Sequence, residues 1–310
     1  MDGDRKIVLV TRQTPLQELV LRYNTVEQAR FHVEHLGMDF ADFLAEDTVY
    51  RTQVAQVSAL LQRHGRLQPL DRGFLPNFLF PPDALVVVLG QDGLVANVLK
   101  YLDGQPVLAV NPDPARWDGV LLPFAAGDLA SLLPEVLRGR RPLREITMAR
   151  ATLSDGQTLR AVNDLFIGAR THVSARYELA MDGHRERQSS SGIIVSTGLG
   201  STGWLRSVLT GAMAITGGQA GSTPQQLLQH GLAWDAAQLV FSVREPFPGR
   251  SSHATIVFGQ VGQGRSLEVR SLMPDDGVIF SDGMQADALA FSAGLTARIG
   301  IDAQRALLLH

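Results

Sequence analysis

Six consecutive apolar residues, Ala84 to Leu89, run straight into Gly90-Gln91-Asp92-Gly93. A run this short and without polar alternation reads as a strand buried on both faces, the kind found in parallel sheets covered by helices. The turn behind it then lies at the carboxyl end of the strand, where open α/β sheets bind their ligands. The flanking sequence follows the same grammar. Ile7 to Val10 is another short apolar run, and Pro106 to Val110 is a third, ending at Asn111. Val26, Ala29, Val33 and Leu36 recur at helical spacing, with Thr25 and Gln28 placed for a capping box and Gly37 placed to close the helix. Tyr50, Val54, Val57 and Leu61 share one face of a further helix, with Gly65 behind it. A helix is also expected from the Gly90–Gly93 turn to Leu102. The Pro- and Phe-rich stretch Leu67 to Asp83 reads as an active-site flap or as a strand with a weak pattern. Phe31, Phe40 and Phe43 read as core.

After about residue 140 the segments become short and β-rich. Asp-Gly turn signals stand at Asp155-Gly156, Asp182-Gly183, Asp276-Gly277 and Asp282-Gly283. Val173 to Met181 alternates in part. Residues 124–143 read as a helix and a basic connector, in which Arg138, Arg140, Arg141 and Arg144 are solvated rather than phosphate-bound. Residues 211–235, rich in Gly and Gln, read as a surface loop. The expected fold class is α/β: an N-terminal Rossmann-like α/β domain over residues 1–123, then a C-terminal antiparallel β-rich domain over 124–310, whose extreme C-terminus returns to the first domain.

Bulk properties narrow the function classes. A chain of 310 residues suits two domains. Its net charge of -3 offers no basic surface for nucleic acid or an anionic membrane. With no cysteine, disulfides, thiolate metal sites and a cysteine nucleophile are excluded. The apolar stretch within Met1 to Val10 is too short for a secretory signal, and no apolar run approaches a bilayer span, so a cytoplasmic location is expected.

Three loops carry chemistry. In Gly90-Gln91-Asp92-Gly93, glycines admit a diphosphate close to backbone N–H groups and the helix start favours anions. Asp92 is suited to accept a hydroxyl proton or help position a metal; the bland alternative is a tight turn. Asn163-Asp164, behind a strand, is suited to clasp a ribose diol or a base edge, or to form an Asx-turn. The loop Ser196 to Trp204 (STGLGSTGW) sits between the strand Gly192 to Val195 and a helix. Its Gly, Ser201 and Thr202 offer donors to phosphate or base, and Trp204 offers a stacking ring; alternatively it is a Ser/Gly loop with a core Trp. It is not a P-loop, since no Lys follows a G-x-x-x-x-G frame.

In order and spacing, these three loops resemble the NAD kinase family, whose members carry GGDG, then Asn-Glu or Asn-Asp, then a GLIVSTPTGSTAY-like loop. The match is best with mitochondrial-type NAD kinases and their bacterial relatives. Val110 to Pro123 (VNPDPARWDGVLLP) is similar to their VNTDPxxSxGxL segment, Ala161 to Glu178 to their NEVFIG segment, and Ser190-Ser191-Gly192 to their Ser-Ser-Gly. The resemblance runs over roughly residues 5–300. It implies an NAD kinase/diacylglycerol kinase-like fold with the active site in the cleft between the domains. It implies transfer of a phosphoryl group from ATP or a related donor, with Mg²⁺, to the 2′-hydroxyl of the adenosine ribose of NAD(H). Asp92 matches the candidate base. Gly90 and Gly93 match the phosphate-admitting glycines, and Asn163 and Asp164 the pair that holds the dinucleotide. Thr202 and Trp204 match the base-contacting positions, with Ser201 beside them. A homodimer or homotetramer is implied as well. Gln91 stands where the family has Gly, Gly198-Leu199 where it has a Thr-Pro-type pair, and Ser191 where typical bacterial members have Asp. The alternatives are a related kinase acting on a sugar or another nucleotide, and an inactive dinucleotide-binding sensor.

Other features carry bland readings. His32 and His35 share a helix face without a carboxylate partner and read as a surface pair. Arg244-Glu245-Pro246 reads as an internal ion pair, and Asp282-Gly283 as a hairpin turn.

Overall fold

The computed structural model describes residues 5–217 and 221–310. The chain divides into two compact units, one running to Arg144 and including Leu307–His310, the other comprising Glu145–Ala306.

The first unit contains β1 (Lys6–Thr11), α1 (Pro15–Tyr23), α2 (Val26–His35), α3 (Phe40–Gln62), β2 (Arg66–Asp71), β3 (Leu85–Leu89), α4 (Asp92–Leu99), β4 (Pro106–Asn111), β5 (Phe124–Ala125) and α5 (Leu129–Leu137). The strands pair in parallel in the order β2-β1-β3-β4, and both β5 and residues Leu307 and Leu308 pair with β4. Every residue of β3 is buried, as the apolar run requires. The strand alternative therefore holds at the start of the Leu67–Asp83 stretch, with Pro69 accommodated because β2 is an edge strand. A 3₁₀ turn, Arg72–Asn77, follows it.

Two helix starts follow from side-chain capping. Thr25 accepts from the Gln28 backbone N–H at 3.1 Å, and Gly37, at φ +74°, closes α2 in the left-handed conformation that favours glycine. The helix α1 lies outside the sequence expectations. Thr14 and Gln17 form its capping box, with Thr14 N–H to the Gln17 amide oxygen at 3.0 Å and Gln17 N–H to the Thr14 hydroxyl at 3.3 Å.

The expected boundary at residue 123 gives way to one at Arg144. Leu129, Leu133 and Val136 of α5 pack in the same core as Ile7, Leu9, Leu85 and Val87, so α5 is part of the first unit rather than a bridge. Phe40 is buried and Phe43 packs against its cluster, but Phe31 is exposed and stacks on His35, which corrects its reading as core. Its position on α2 is off the Ala29–Val33 stripe. His32 is bonded to the Tyr23 hydroxyl at 2.8 Å.

The second unit contains β7 (Thr158–Ala161), β8 (Asp164–Ala169), β9 (Ala175–Met181), β10 (His184–Ser190), β11 (Ile193–Ser196), α6 (Trp204–Ile215), α7 (Ser222–His230), β12 (Gln238–Val243), β13 (Phe258–Gly262), β14 (Leu267–Ser271), β15 (Gly277–Ser281) and β16 (Met284–Ala290), with most of β6 (Leu143–Leu153) and of β17 (Thr296–Leu309), whose outer ends belong to the first. One antiparallel sheet has the order β13-β12-β11-β8-β15-β16. In the other, β10-β9-β14-β17 pair antiparallel, and β6 pairs with β17 and β7. Leu165, Ile167, Val195 and Phe241 of the first sheet share a core with Tyr177, Leu179, Val269 and Ile299 of the second.

Part of the 211–235 stretch expected as a surface loop is helical instead. Leu205 and Leu209 of α6 and Leu227 of α7 bury against Val240, and that apolar contact outweighs the local Gly and Gln content; residues 218–220 fall outside the described residues. Asp182-Gly183 and Asp282-Gly283 are hairpin turns with positive φ at both residues, +52° and +82°, +51° and +68°. Asp276-Gly277 is not a hairpin turn. Gly277 opens β15, where a Cβ would stand 2.0 Å from the Phe291 carbonyl oxygen.

Candidate active site

In the first unit the chain passes from β1 to β2 on one side and to β3 and β4 on the other. The carboxyl ends of β1 and β3 are therefore a topological switch point. Tyr50 of α3 ties those two ends together. Its hydroxyl donates to the Leu89 carbonyl at 2.8 Å and accepts from the Arg12 N–H at 3.0 Å. Burial pushes the phenol up to about 12, so it stays a donor through the physiological range. Sequence periodicity had placed Tyr50 only on an apolar helix face.

Behind β3, Gly90 is buried and donates to the Val110 carbonyl at 3.2 Å. Gln91 has φ -112° and ψ 165°, extended backbone that any residue adopts, so glycine is not required there. The Gln91 carbonyl accepts the Leu94 and Val95 N–H groups at 2.9 and 3.3 Å, which starts α4 with Asp92 as its first residue. The Asp92 carboxylate accepts the Leu121 N–H at 2.7 Å and the Val120 N–H at 3.2 Å. Those amides belong to the segment that leaves β4. There Asn111 accepts from Asp113 N–H at 3.0 Å and donates to the Trp117 carbonyl at 2.9 Å, and Gly119, at φ +65°, turns the chain back. Asp92 is thus fixed at the amino end of a helix and at the carboxyl end of a buried strand. A carboxylate has about four acceptor positions, so two such bonds leave room for a further donor. Gly93 is exposed, and a Cβ there would meet nothing within 4 Å.

In the second unit, Asn163-Asp164 and the Ser196–Trp204 loop come together. Residues Val162 and Asn163 form the short link between β7 and β8, where ladder partners stop. Their carbonyls are taken by Thr197, whose hydroxyl donates to Val162 O at 2.6 Å and whose N–H donates to Asn163 O at 2.9 Å. The amides are taken by Asp282, which accepts Val162 N–H at 2.9 Å, Asn163 N–H at 2.7 Å and Asp164 N–H at 3.3 Å. The Asn163 side-chain amide makes no hydrogen bond to any described residue. Asp164 pairs in register with Ser196 across β8 and β11, and Ser196 hydrogen-bonds its carboxyl. Burial, followed by the nearby Asp282 charge, pushes the Asp164 carboxyl up to about 7, against the Ser196 hydrogen bond. Its Oδ1 is buried without a partner.

The loop around them is tightly packed. Cβ atoms at Gly198 and Gly200 would stand 1.9 Å from Ala233 O and 2.2 Å from Asn163 O, both backbone atoms. Gly200→Ala is therefore expected to destabilise the protein by about 2–3 kcal/mol through overpacking, read as a lower urea midpoint at unchanged m-value. An unchanged midpoint would mean that Gly200 does not pack on Asn163. Ser201 is buried, and its hydroxyl works inside the loop, donating to Gly198 O at 2.6 Å and accepting Leu232 N–H at 2.8 Å. The Thr202 hydroxyl donates to Leu199 O at 3.3 Å. Trp204 stacks on Phe166 with centroids 5.8 Å apart, and the Arg244 guanidinium lies 5.5 Å from its ring centroid. Sequence reasoning missed Thr197 and Asp282. Asp282 was hidden inside a hairpin signal, although a hairpin turn of this type takes Asn as readily as Asp.

Among the described residues no three His, Asp or Glu side chains cluster to hold a metal, and no helix is long and apolar enough to cross a membrane. Neither family models nor curated proteins match the chain. Solved structures do. An NAD kinase from Archaeoglobus fulgidus in complex with ATP aligns over 99% of this chain and 93% of its own, with TM-score 0.58 and 16% identity. Yeast NADH kinase complexed with NADH aligns over 100% of this chain and 84% of its own, with TM-score 0.56 and 14% identity. The chain has the fold of these two enzymes.

Proposed function

We propose that this protein, which has the fold of an ATP-binding NAD kinase and an NADH-binding kinase, is itself a phosphotransferase of that kind. It transfers the γ-phosphoryl of ATP to the 2′-hydroxyl of the adenosine ribose of NAD(H). The observation that carries this reading is a fold shared over nearly the whole chain with two kinases of dinucleotides. The motif residues support it from below.

In the reaction the ribose oxygen bonds to the γ-phosphorus while the bond to the bridging β,γ-oxygen breaks, giving NADP(H) and ADP. Asp92 takes the hydroxyl proton, its oxygens fixed by the Val120 and Leu121 amides. Gly90 lets the turn pack against the Leu94 side chain, and Gly93, with open space where a Cβ would stand, leaves the amino end of α4 accessible to a phosphate. Asn163 and Asp164 hold the dinucleotide, and Thr202 and Trp204 border it. Ser201 contributes by bracing the loop. Mg²⁺ brought with ATP would supply positive charge to the phosphates, and Asp92 is the carboxylate of this turn that would help position it. Phosphoryl transfer asks mainly for positioning and charge stabilisation, which a rigid set of loops can supply. A cytoplasmic homodimer or homotetramer completes the reading.

The test is direct. The purified chain is incubated with Mg·ATP and either NAD or NADH, and the product is measured with an NADP-specific dehydrogenase. Formation of NADP or NADPH is the expected result. Transfer to sugars or other nucleotides, with none to either dinucleotide, would replace this reading.

A further inference from the structure

Asp282 lies at the β15–β16 turn, away in sequence from every motif residue. A two-residue turn of this conformation requires only a residue that tolerates positive φ. Asp282 does more than form the turn. Its carboxylate takes the backbone amides of Val162, Asn163 and Asp164, while its own N–H donates to the Asp164 carbonyl at 3.2 Å. From another element Thr197 takes the Val162 and Asn163 carbonyls. The link between β7 and β8 therefore has its backbone polar groups satisfied from two neighbouring loops, and Gly200 packs flush against it. The group left open is the Asn163 side-chain amide, one donor pair and one acceptor on a rigid backbone. Binding through such a group depends on its being held in place beforehand.

We propose that Asp282 is a positioning residue for acceptor binding: it clamps residues 162–164 so that the Asn163 amide is preset for the dinucleotide. This inference rests on the kinase reading above. It predicts an effect on dinucleotide binding that is separate from phosphoryl transfer and from ATP.

Two variants isolate the clamp. Asp282→Gly keeps a residue that adopts φ near +51° and removes the carboxylate, whereas Asp282→Asn keeps one acceptor oxygen and tolerates the same φ. The expected result for Asp282→Gly is a KM for NAD(H) raised at least about tenfold, with the KM for ATP and kcat each within about threefold of wild type. Asp282→Asn recovers most of the dinucleotide KM. If Asp282→Gly folds poorly, the same measurement on Asp282→Asn, with a smaller rise confined to the dinucleotide KM, decides the matter. An unchanged dinucleotide KM in a folded variant, or equal rises for both substrates, would overturn the clamp while leaving the kinase reading in place. A wild-type protein that phosphorylates neither NAD nor NADH would overturn both.

Discussion

Replacing Asp92 by asparagine is expected to lower kcat for dinucleotide phosphorylation by about 10²- to 10⁴-fold, the range a positioned general base supplies, while the fold stays intact. Asparagine keeps an oxygen for the Leu121 N–H, the shorter of the two bonds that Asp92 accepts. It cannot take a proton from a hydroxyl. Alanine is expected to abolish turnover equally and to cost about 1 kcal/mol more in stability, because the Val120 and Leu121 amides lose their partner. Steady-state kinetics paired with urea titration separates the two effects. Near-wild-type turnover in Asp92→Asn would remove Asp92 from the chemistry whatever its stability. A fall in kcat that merely tracks unfolding would make it a loop tie and nothing more.

Asp164→Asn is the second large effect, and it is one of stability against pH. The Asp164 carboxyl titrates near 7 in the folded protein, against an ordinary 3.8. Between those values the folded state holds a proton that the unfolded chain has released. Stability therefore falls as pH rises through this window and levels off above it, the reverse of a salt-bridged carboxylate. Each pH unit costs at most about 1.4 kcal/mol, so over this window the ceiling is about 4 kcal/mol. The partial exposure of the residue lowers this figure. Asparagine resembles the neutral acid in shape and carries no charge beside Asp282. The variant is expected to match wild type near pH 4 and to exceed it by about 1–3 kcal/mol at pH 8. Urea midpoints at the two pH values read this out, and equal pH slopes in the two proteins would show that Asp164 is not the group responsible.

The parts of the fold that could be read in advance share a physical property. Buried strands such as Leu85–Leu89 are continuous and apolar because both faces meet helices. The α2 helix carries its own signals, since Thr25 caps it and Gly37 ends it within the same few residues. Asp92 was legible because a glycine turn directly behind such a strand has one position relative to the sheet. Where the reading failed, the deciding partner was distant in sequence. Phe31 shares a helix with core residues but sits off their stripe. Parts of the 211–235 stretch are helical because Leu205, Leu209 and Leu227 find Val240. Gln91, which looked like a departure, occupies extended backbone that needs no glycine.

Local interactions repeat every few residues along the chain, so the amino-acid sequence by itself determined the strand and helix grammar and the two-part organisation. Tertiary structure alone decided how the motif residues are held. Thr197 and Asp282 meet the Asn163 backbone from loops far apart in the chain, and Asp164 shifts its proton affinity through burial beside a second carboxylate. Both depend on groups brought close by folding, and a distance across a fold leaves no periodicity to read.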